Sequence, residues 1–339
     1  MKQDIIEKIN STQFSESTKQ DIINNLTTRY LIEKEKVKIK IGESKIGGFP
    51  HLPKDLDYPQ EENFFYEFIG QINLSDLKEN DIPNFPKFGI MYFFIDDDFE
   101  VSNVTTKVIL LNNDISELEV KYPPKNKKSH CEIFLNRTEF TELKLRFAKD
   151  LTINQNLLNE IVNYELVTGQ NNQSEFDIEQ FYTKDQVWGF TTTWGGGDAE
   201  WSAYLAKRRF SSLYWLTLDH QIENLKKENI DFRQWLNNKV DEAIIKQKDI
   251  LLKYEKTLHI YPYWENELVD LEYTKENLAD FIDNFEHHKL ESKKWKMVLS
   301  LSSENDAQMC FGDGKMEFFV NSDDLANKNF NNFYCHIYN

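Results

Sequence analysis

The chain has 339 residues, of which 40% are hydrophobic and 14% aromatic, enough apolar side chain for a large core and too much for a disordered polymer. Its 57 acidic residues outnumber 40 Lys and Arg, giving a net charge of −17, which repels phosphate backbones and anionic lipid and attracts a basic or neutral protein surface. Cys131, Cys310 and Cys335 are widely spaced with no Cys-x-x-Cys pair, so neither a disulfide framework nor a Cys-rich zinc site is expected, and a reducing compartment suits the chain.

Nothing approaches the ~18 consecutive apolar residues of a membrane helix, and carboxylates interrupt the opening residues MKQDIIEKINSTQF, where a secretory signal would be apolar. The expectation is a cytoplasmic protein without membrane or nucleic-acid partners.

In chain order, Ile5 and Ile9, then Ile22, Leu26 and Tyr30, fall at helical spacing, and Ser17-Thr18-Lys19-Gln20 fits a capping box at the second helix. Lys36 to Ile41 alternates lysine with Val and Ile, which predicts a strand with one charged face. The loop Ser44-Lys45-Ile46-Gly47-Gly48-Phe49-Pro50 pairs two glycines, which permit positive φ, with prolines that hold the following chain extended. Strands are predicted over Phe64–Leu74 and Phe88–Ile95, the second apolar on both faces and therefore central. Shorter ones follow at Val108–Leu111, Leu118–Tyr122, Cys131–Leu135 and Leu143–Phe147.

The middle reads as helical: Asn156–Leu166, one long or two consecutive helices from Gln221 to Lys256, and a short one marked by Leu278, Phe281, Ile282 and Phe285. Gln170 to Ser174 reads as a polar linker. Between these helices, Trp188, Trp194 and Trp201 flank the glycine-dense stretch Gly195-Gly196-Gly197. The C-terminal part returns to strand at Trp295–Leu301 and Lys315–Val320, joined through Gly312-Asp313-Gly314, with a helix start at Asn321.

Phe68 to Leu77 followed by Phe88 to Ile95 is echoed by Met297 to Ser303 followed by Gly314 to Val320. The fold expected is therefore α+β and multi-sheet: two β-rich lobes related by internal duplication, with N-terminal helices and a helical insertion. Residues 1–165 are assigned to the first lobe and 166–339 to the insertion and second lobe.

At these motifs the chain resembles the YwqG family of bacterial proteins. The shared pattern is Ser44-Lys45-Ile46-Gly47-Gly48-Phe49-Pro50-x-Leu52-Pro53, Tyr58-Pro59 where the family usually has Trp-Pro, Phe68 to Leu74, and Phe88 to Phe94. Gly312 to Phe319, Asp323-Asp324-Leu325 and Phe330 close it, whereas residues from about 100 to 290 match poorly. The resemblance implies a mixed α and β multi-sheet fold and no accepted activity, cofactor or catalytic residue. Some members lie near secreted toxin and immunity genes, which implies an inhibitory binding role.

Lys45 beside Gly47 and Gly48 could form an anion site from exposed amides and a nearby cation; the plainer reading is a tight turn. Gln71 and Asn73, two apart on one strand, share a face and either point into such a site or bond the loop backbone. Trp188, Trp194, Gly195, Gly196 and Trp201 combine large rings with adaptable backbone, suited to gripping a partner, or else pack the core. Asp96 and Asp98 are weak metal candidates, and neither an HExxH nor a GxSxG motif occurs. No cofactor is expected. The leading expectation is a non-catalytic protein-binding module, an immunity or regulatory protein whose partner is a toxin or another basic or neutral protein. The alternative is a hydrolase or transferase with a small-molecule or anion pocket between the lobes.

Overall fold

The structure is a computed structural model that describes residues 2–12, 14–98, 103–129, 131, 141–154, 157–158, 184–190, 199–254, 256, 258, 261–307, 309–310 and 314–338. The strand expected at Cys131–Leu135, the helix at Asn156–Leu166, the linker at Gln170–Ser174 and the turn at Gly312-Asp313 lie wholly or largely outside them.

Helices α1 (Lys2–Ser11) and α2 (Glu16–Asn24) bury Ile9 and Ile22 in a small cluster with Phe14, Ile153 and Leu158. The cap of α2 is Ser15, whose Oγ accepts the Thr18 N–H at 3.2 Å, and not Ser17. Strand β1 (Thr27–Glu35) follows at once. The alternating stretch Lys36–Ile41 is therefore not the strand: it is loop, with Val37 48% exposed. Alternation marks a strand only where a neighbour supplies the ladder. β8 (Leu143–Thr152) pairs with Thr27–Glu35 along its whole length, so Tyr30 faces the sheet interior instead of extending a helical stripe.

The remaining strands are β2 (Lys45–Ile46), β3 (His51–Pro53), β4 (Glu67–Asn73), β5 (Ile90–Asp98), β6 (Asn103–Leu111), β7 (Leu118–Val120), β9 (Gln186–Gly189), β10 (Trp295–Ser302), β11 (Lys315–Asn321) and β12 (Tyr334–Tyr338). Ten of the twelve strands form one sheet in the order β12-β11-β10-β9-β1-β8-β2-β4-β5-β6, and β3 with β7 forms a second. All pairings within these sheets are antiparallel. The large sheet curls until Phe93 of β5 meets Phe318 of β11 edge to face, with centroids 4.9 Å apart. Its concave side holds the main core, including Ile46, Met91, Phe93, Val187, Leu299, Met316 and Phe318. As expected, β5 is apolar on both faces and internal to the sheet: Ile90, Tyr92 and Phe94 pack outward into a cluster with Leu52, Tyr58 and Leu118 beneath the small sheet.

The sheet has two matching halves. In one, Lys45 of β2 opposes Gln71 of β4, which opposes Tyr92 of β5; in the other, Gln186 of β9 opposes Ser300 of β10, which opposes Glu317 of β11. Both hairpins carry a register shift at the same place, between Phe68 and Gly70 and between Met297 and Leu299. The opening strand of each repeat is exchanged, β1 pairing with β9 and β8 with β2. These pairings align residue for residue the two segments whose similarity the sequence suggested.

The outer faces of the halves are covered differently. Where the first half carries β3 and β7, the second carries helices. Trp295, Met297 and Phe319 there pack with Trp201 and Tyr204 of α3 (Ala199–Lys207). The helical stretch expected from Gln221 is two helices, α4 (Asp219–Lys227) and α5 (Phe232–Lys253). The break falls at Asn229, at φ 55, and α5 is capped by Asp231, which accepts the Gln234 N–H at 2.7 Å. The short helix expected near Leu278 is 23 residues long, α6 (Tyr261–Asp283), followed by α7 (Phe285–Ser292). Its apolar stripe is diluted by residues that pair with α5, such as Lys275 with Asp241 and Glu272 with Lys248, each at 2.8 Å. Helix α8 (Ser322–Ala326) starts at Asn321, as expected. Among the described residues no helix is long and apolar enough to cross a membrane.

Candidate functional site

The signature residues converge at the junction of β2, β4 and the loop before β3. Gly47 and Gly48 take φ 70 and φ 64, a region open to glycine and costly for other residues. A Cβ on Gly47 would lie 2.7 Å from the Thr141 carbonyl oxygen, and one on Gly48 would lie 2.9 Å from Glu142 Oε2. Gly47 is therefore required by close backbone approach and by conformation together, and Gly48 by its conformation beside the Glu142 side chain.

Lys45 is 1% exposed. Its ammonium donates to Glu142 Oε2 at 2.6 Å and lies 5.8 Å from the Phe68 ring centroid. Burial pushes its pKa below the usual lysine value, while the Glu142 carboxylate opposes that shift. Gln71 is fully buried and ties the loop before β2 to His51 at the start of β3. Its Oε1 accepts the His51 N–H at 2.9 Å, and its Nε2 donates to the Glu43 carbonyl at 2.9 Å and meets His51 Nδ1 at 3.1 Å. Asn73 Nδ2 donates to the Gly42 carbonyl at 3.0 Å, and its Oδ1 accepts the Ser75 N–H at 3.1 Å. Ser44 Oγ accepts the Asn73 N–H and donates to Asp76. Of the two sequence readings for Gln71 and Asn73, the one in which they bond loop backbone is what the geometry shows.

His51 was not singled out from the sequence. Its Nδ1 accepts the Gly42 N–H at 3.1 Å, which fixes the neutral ring with its proton on Nε2. Burial, and then the charge of Lys45, lowers its pKa to about 4. Tyr92 closes the cluster by donating to the His51 carbonyl at 2.6 Å.

The equivalent place in the second half holds a different set. Trp188 and Gly189 occupy the positions of Gly47 and Gly48, at φ 60 and φ 126. The partner of Gln186 is Arg29, which stands where Glu142 stands in the first half: Nη1 donates to Gln186 Oε1 at 3.2 Å, and Nε and Nη2 both donate to Asp150 Oδ2, at 3.0 and 2.8 Å. Ser300 donates to Glu317 Oε1 at 3.0 Å. Arg29, Asp150, Gln186, Ser300 and Glu317 are all buried, and they form a row across the outer face of five strands. On β12 beside Glu317, burial lowers the pKa of His336, whose Nδ1 lies 3.2 Å from the Tyr334 hydroxyl. Sequence reasoning missed this row because Arg29 lies more than a hundred residues from both Asp150 and Gln186 and its members share no motif. The visible signal was the echo, which aligns Ser300 with Gln71.

Of the tryptophans singled out from the sequence, the described ones, Trp188 and Trp201, are buried. Trp188 turns into the main core against Phe85, at 5.6 Å between centroids. Trp201 is fully buried, stacks on Tyr204 and donates from Nε1 to Thr217 Oγ1 at 2.9 Å. Trp194, Gly195 and Gly196 lie outside the described residues. Asp96 is buried, whereas the side chain of Asp98 is also outside that set. Among the described residues no group of three His, Cys, Asp or Glu could hold a metal ion.

No curated protein matches the chain. The profile of one family, described as a domain of unknown function (DUF1963), matches residues 44–338, a span that opens at the signature loop and closes in β12. The chain belongs to the DUF1963 family.

Proposed function

We propose that this protein is a non-catalytic protein-binding module of the cytoplasm, related to the YwqG proteins and serving as an immunity or regulatory protein. The observation that carries this reading is the engagement of the signature itself. Gln71, Asn73 and His51 each bond loop backbone, Ser44 bonds the last residue of β4, and Lys45 is closed over by Glu142. A group that must act on substrate needs access and an unsatisfied bonding direction, whereas these side chains hold a shape. The net charge of −17 favours a partner whose contacting surface is basic or neutral.

The test compares wild type with Lys45→Met and Gln71→Ala in two assays. One screens a metabolite library for thermal stabilisation; the other measures salt-dependent binding to a partner isolated from native extract and then purified. Retention of partner affinity by Lys45→Met, with no metabolite effect, supports the module. Stabilisation by a metabolite that both substitutions abolish would replace it with the alternative of a hydrolase or transferase pocket.

A further inference from the structure

Helix α5 is rooted in the core of the second half through Leu236 and Val240. Its far end, residues 245–253, enters no core cluster among the described residues and rests on α6, where Lys248 pairs with Glu272. On the side away from the core, Ile245 is 62% exposed and Leu252 is 85% exposed. A shallow groove of 470 Å³ runs along the same stretch.

The described lining of this groove has an internal order. With successive residues turned by about 100°, Glu242, Lys246, Asp249 and Lys253 fall in one narrow strip along the helix, with Ile245 on one flank and Ile250 on the other. The charged positions are separated by four, three and four residues, so the strip has the same spacing from either end with every sign inverted. Ile245 and Ile250 are placed symmetrically about the same midpoint, between Gln247 and Lys248. Such a strip is complementary to itself when run backwards. A parallel copy would set each charge against its like.

We infer that this face of α5 is a self-association surface whose partner is a second copy of the chain, packed antiparallel about a two-fold axis through that midpoint. Glu242 then faces Lys253 of the second copy, and Lys246 faces Asp249 of the second copy, each contact occurring twice by symmetry. On one flank Leu252 lies beside Ile245 of the second copy, which removes the two large exposed apolar side chains of α5 from water together. The strip carries two acids and two lysines and is neutral, in a chain whose net charge of −17 makes copies repel elsewhere. Glu242 also takes the Lys239 ammonium at 2.7 Å, an exposed pair that competes little. One helix against one helix is a small interface, so the dimer is expected to be weak and to depend on concentration. This contact goes beyond the reading of the protein as a binding module and does not depend on it.

The experiment is sedimentation equilibrium of the full chain from about 1 to 300 μM, at ~0.15 M salt. The wild-type mass is expected to rise from that of the monomer towards twice that value. Glu242→Lys and Lys253→Glu each bring like charges together twice, and each is expected to weaken the dimer at least tenfold. An equimolar mixture of the two variants restores opposite charges at both contacts and is expected to regain at least the wild-type association. Both side chains are exposed, and unchanged melting curves verify that the variants fold. A wild-type chain that stays monomeric across the range overturns the inference, as does a dimer that both single reversals leave unchanged. A mixture no more associated than either variant alone also overturns it, because the antiparallel register requires the two reversals to compensate each other.

Discussion

Trp188 holds in the second half of the sheet the place that Gly47 holds in the first, at φ 60 against φ 70. Both follow a strand residue in matching register, Ile46 opposite Gly70 and Val187 opposite Leu299. One backbone shape is thus realised by two sequences. In the first half the Thr141 carbonyl leaves no room for a Cβ; in the second an indole fills the core beside Phe85.

Gly47→Ala is expected to destabilise the fold by at least about 1–2 kcal/mol, the cost of a left-handed non-glycine residue, with the 2.7 Å approach to Thr141 adding to it. Trp188→Gly relieves that backbone cost but removes a buried indole. A net loss of about 2–4 kcal/mol is expected, the deletion of a buried aromatic being the larger effect. Urea denaturation of both variants measures the two; a Trp188→Gly protein as stable as wild type would show that the ring's packing is worth no more than the backbone cost it carries.

Glu142→Gln is expected to cost more than Lys45→Met, because the two partners differ in exposure: the Lys45 side chain is 1% accessible and that of Glu142 is 39%. Removing the lysine leaves a carboxylate that water can reach, so a change under about 1 kcal/mol is expected. Removing the carboxylate strands a buried ammonium, which costs about 3 kcal/mol. Equal losses in the two variants, measured by denaturant titration at pH 7, would mean that the pair is solvated in solution.

Arg29→Met and Asp150→Leu should each destabilise by about 3–5 kcal/mol, since either leaves its partner's charge buried. The double variant should lose less than the sum of the two. A double-mutant cycle measures the difference, and strict additivity would show that the 2.8 Å contact carries no coupling.

Stability should fall as the solution is acidified between about pH 6.5, the ordinary histidine range, and the His51 value of about 4. In that window the unfolded chain takes a proton that the folded ring refuses, because burial, and then the charge of Lys45, disfavour the imidazolium; the contribution is complete above the window. His51→Gln should flatten this part of the stability–pH profile. An unchanged slope would assign it to other groups, such as His288 or His336, whose values are also lowered by burial.

The local signals were readable where they rest on one stretch of chain. The apolar run of β5, the cap at Asn321, the glycine pair, and the Gln71–Asn73 face can each be inferred from neighbouring residues. The echo between Phe68–Ile95 and Met297–Val320 also survived, because matching hairpins keep matching side-chain periods. What failed was the strand at Lys36–Ile41, whose alternation is stronger than that of Thr27–Glu35 but which lacks a partner. The row Arg29–Gln186–Ser300–Glu317 was beyond reach for a similar reason: its members become neighbours only when β1 crosses into the other half of the sheet.

The sequence by itself determined the class of the fold, the turn chemistry at Gly47-Gly48 and the charge of the surface, all of which follow from residues acting within a few positions of one another. Only the tertiary structure decided which alternating segment became a strand, that Trp188 and Trp201 are core, and that β6 and β12 meet without pairing among the described residues. Strand pairing and burial depend on contacts between distant parts of the chain, and the free energy of such contacts is not written in either segment alone.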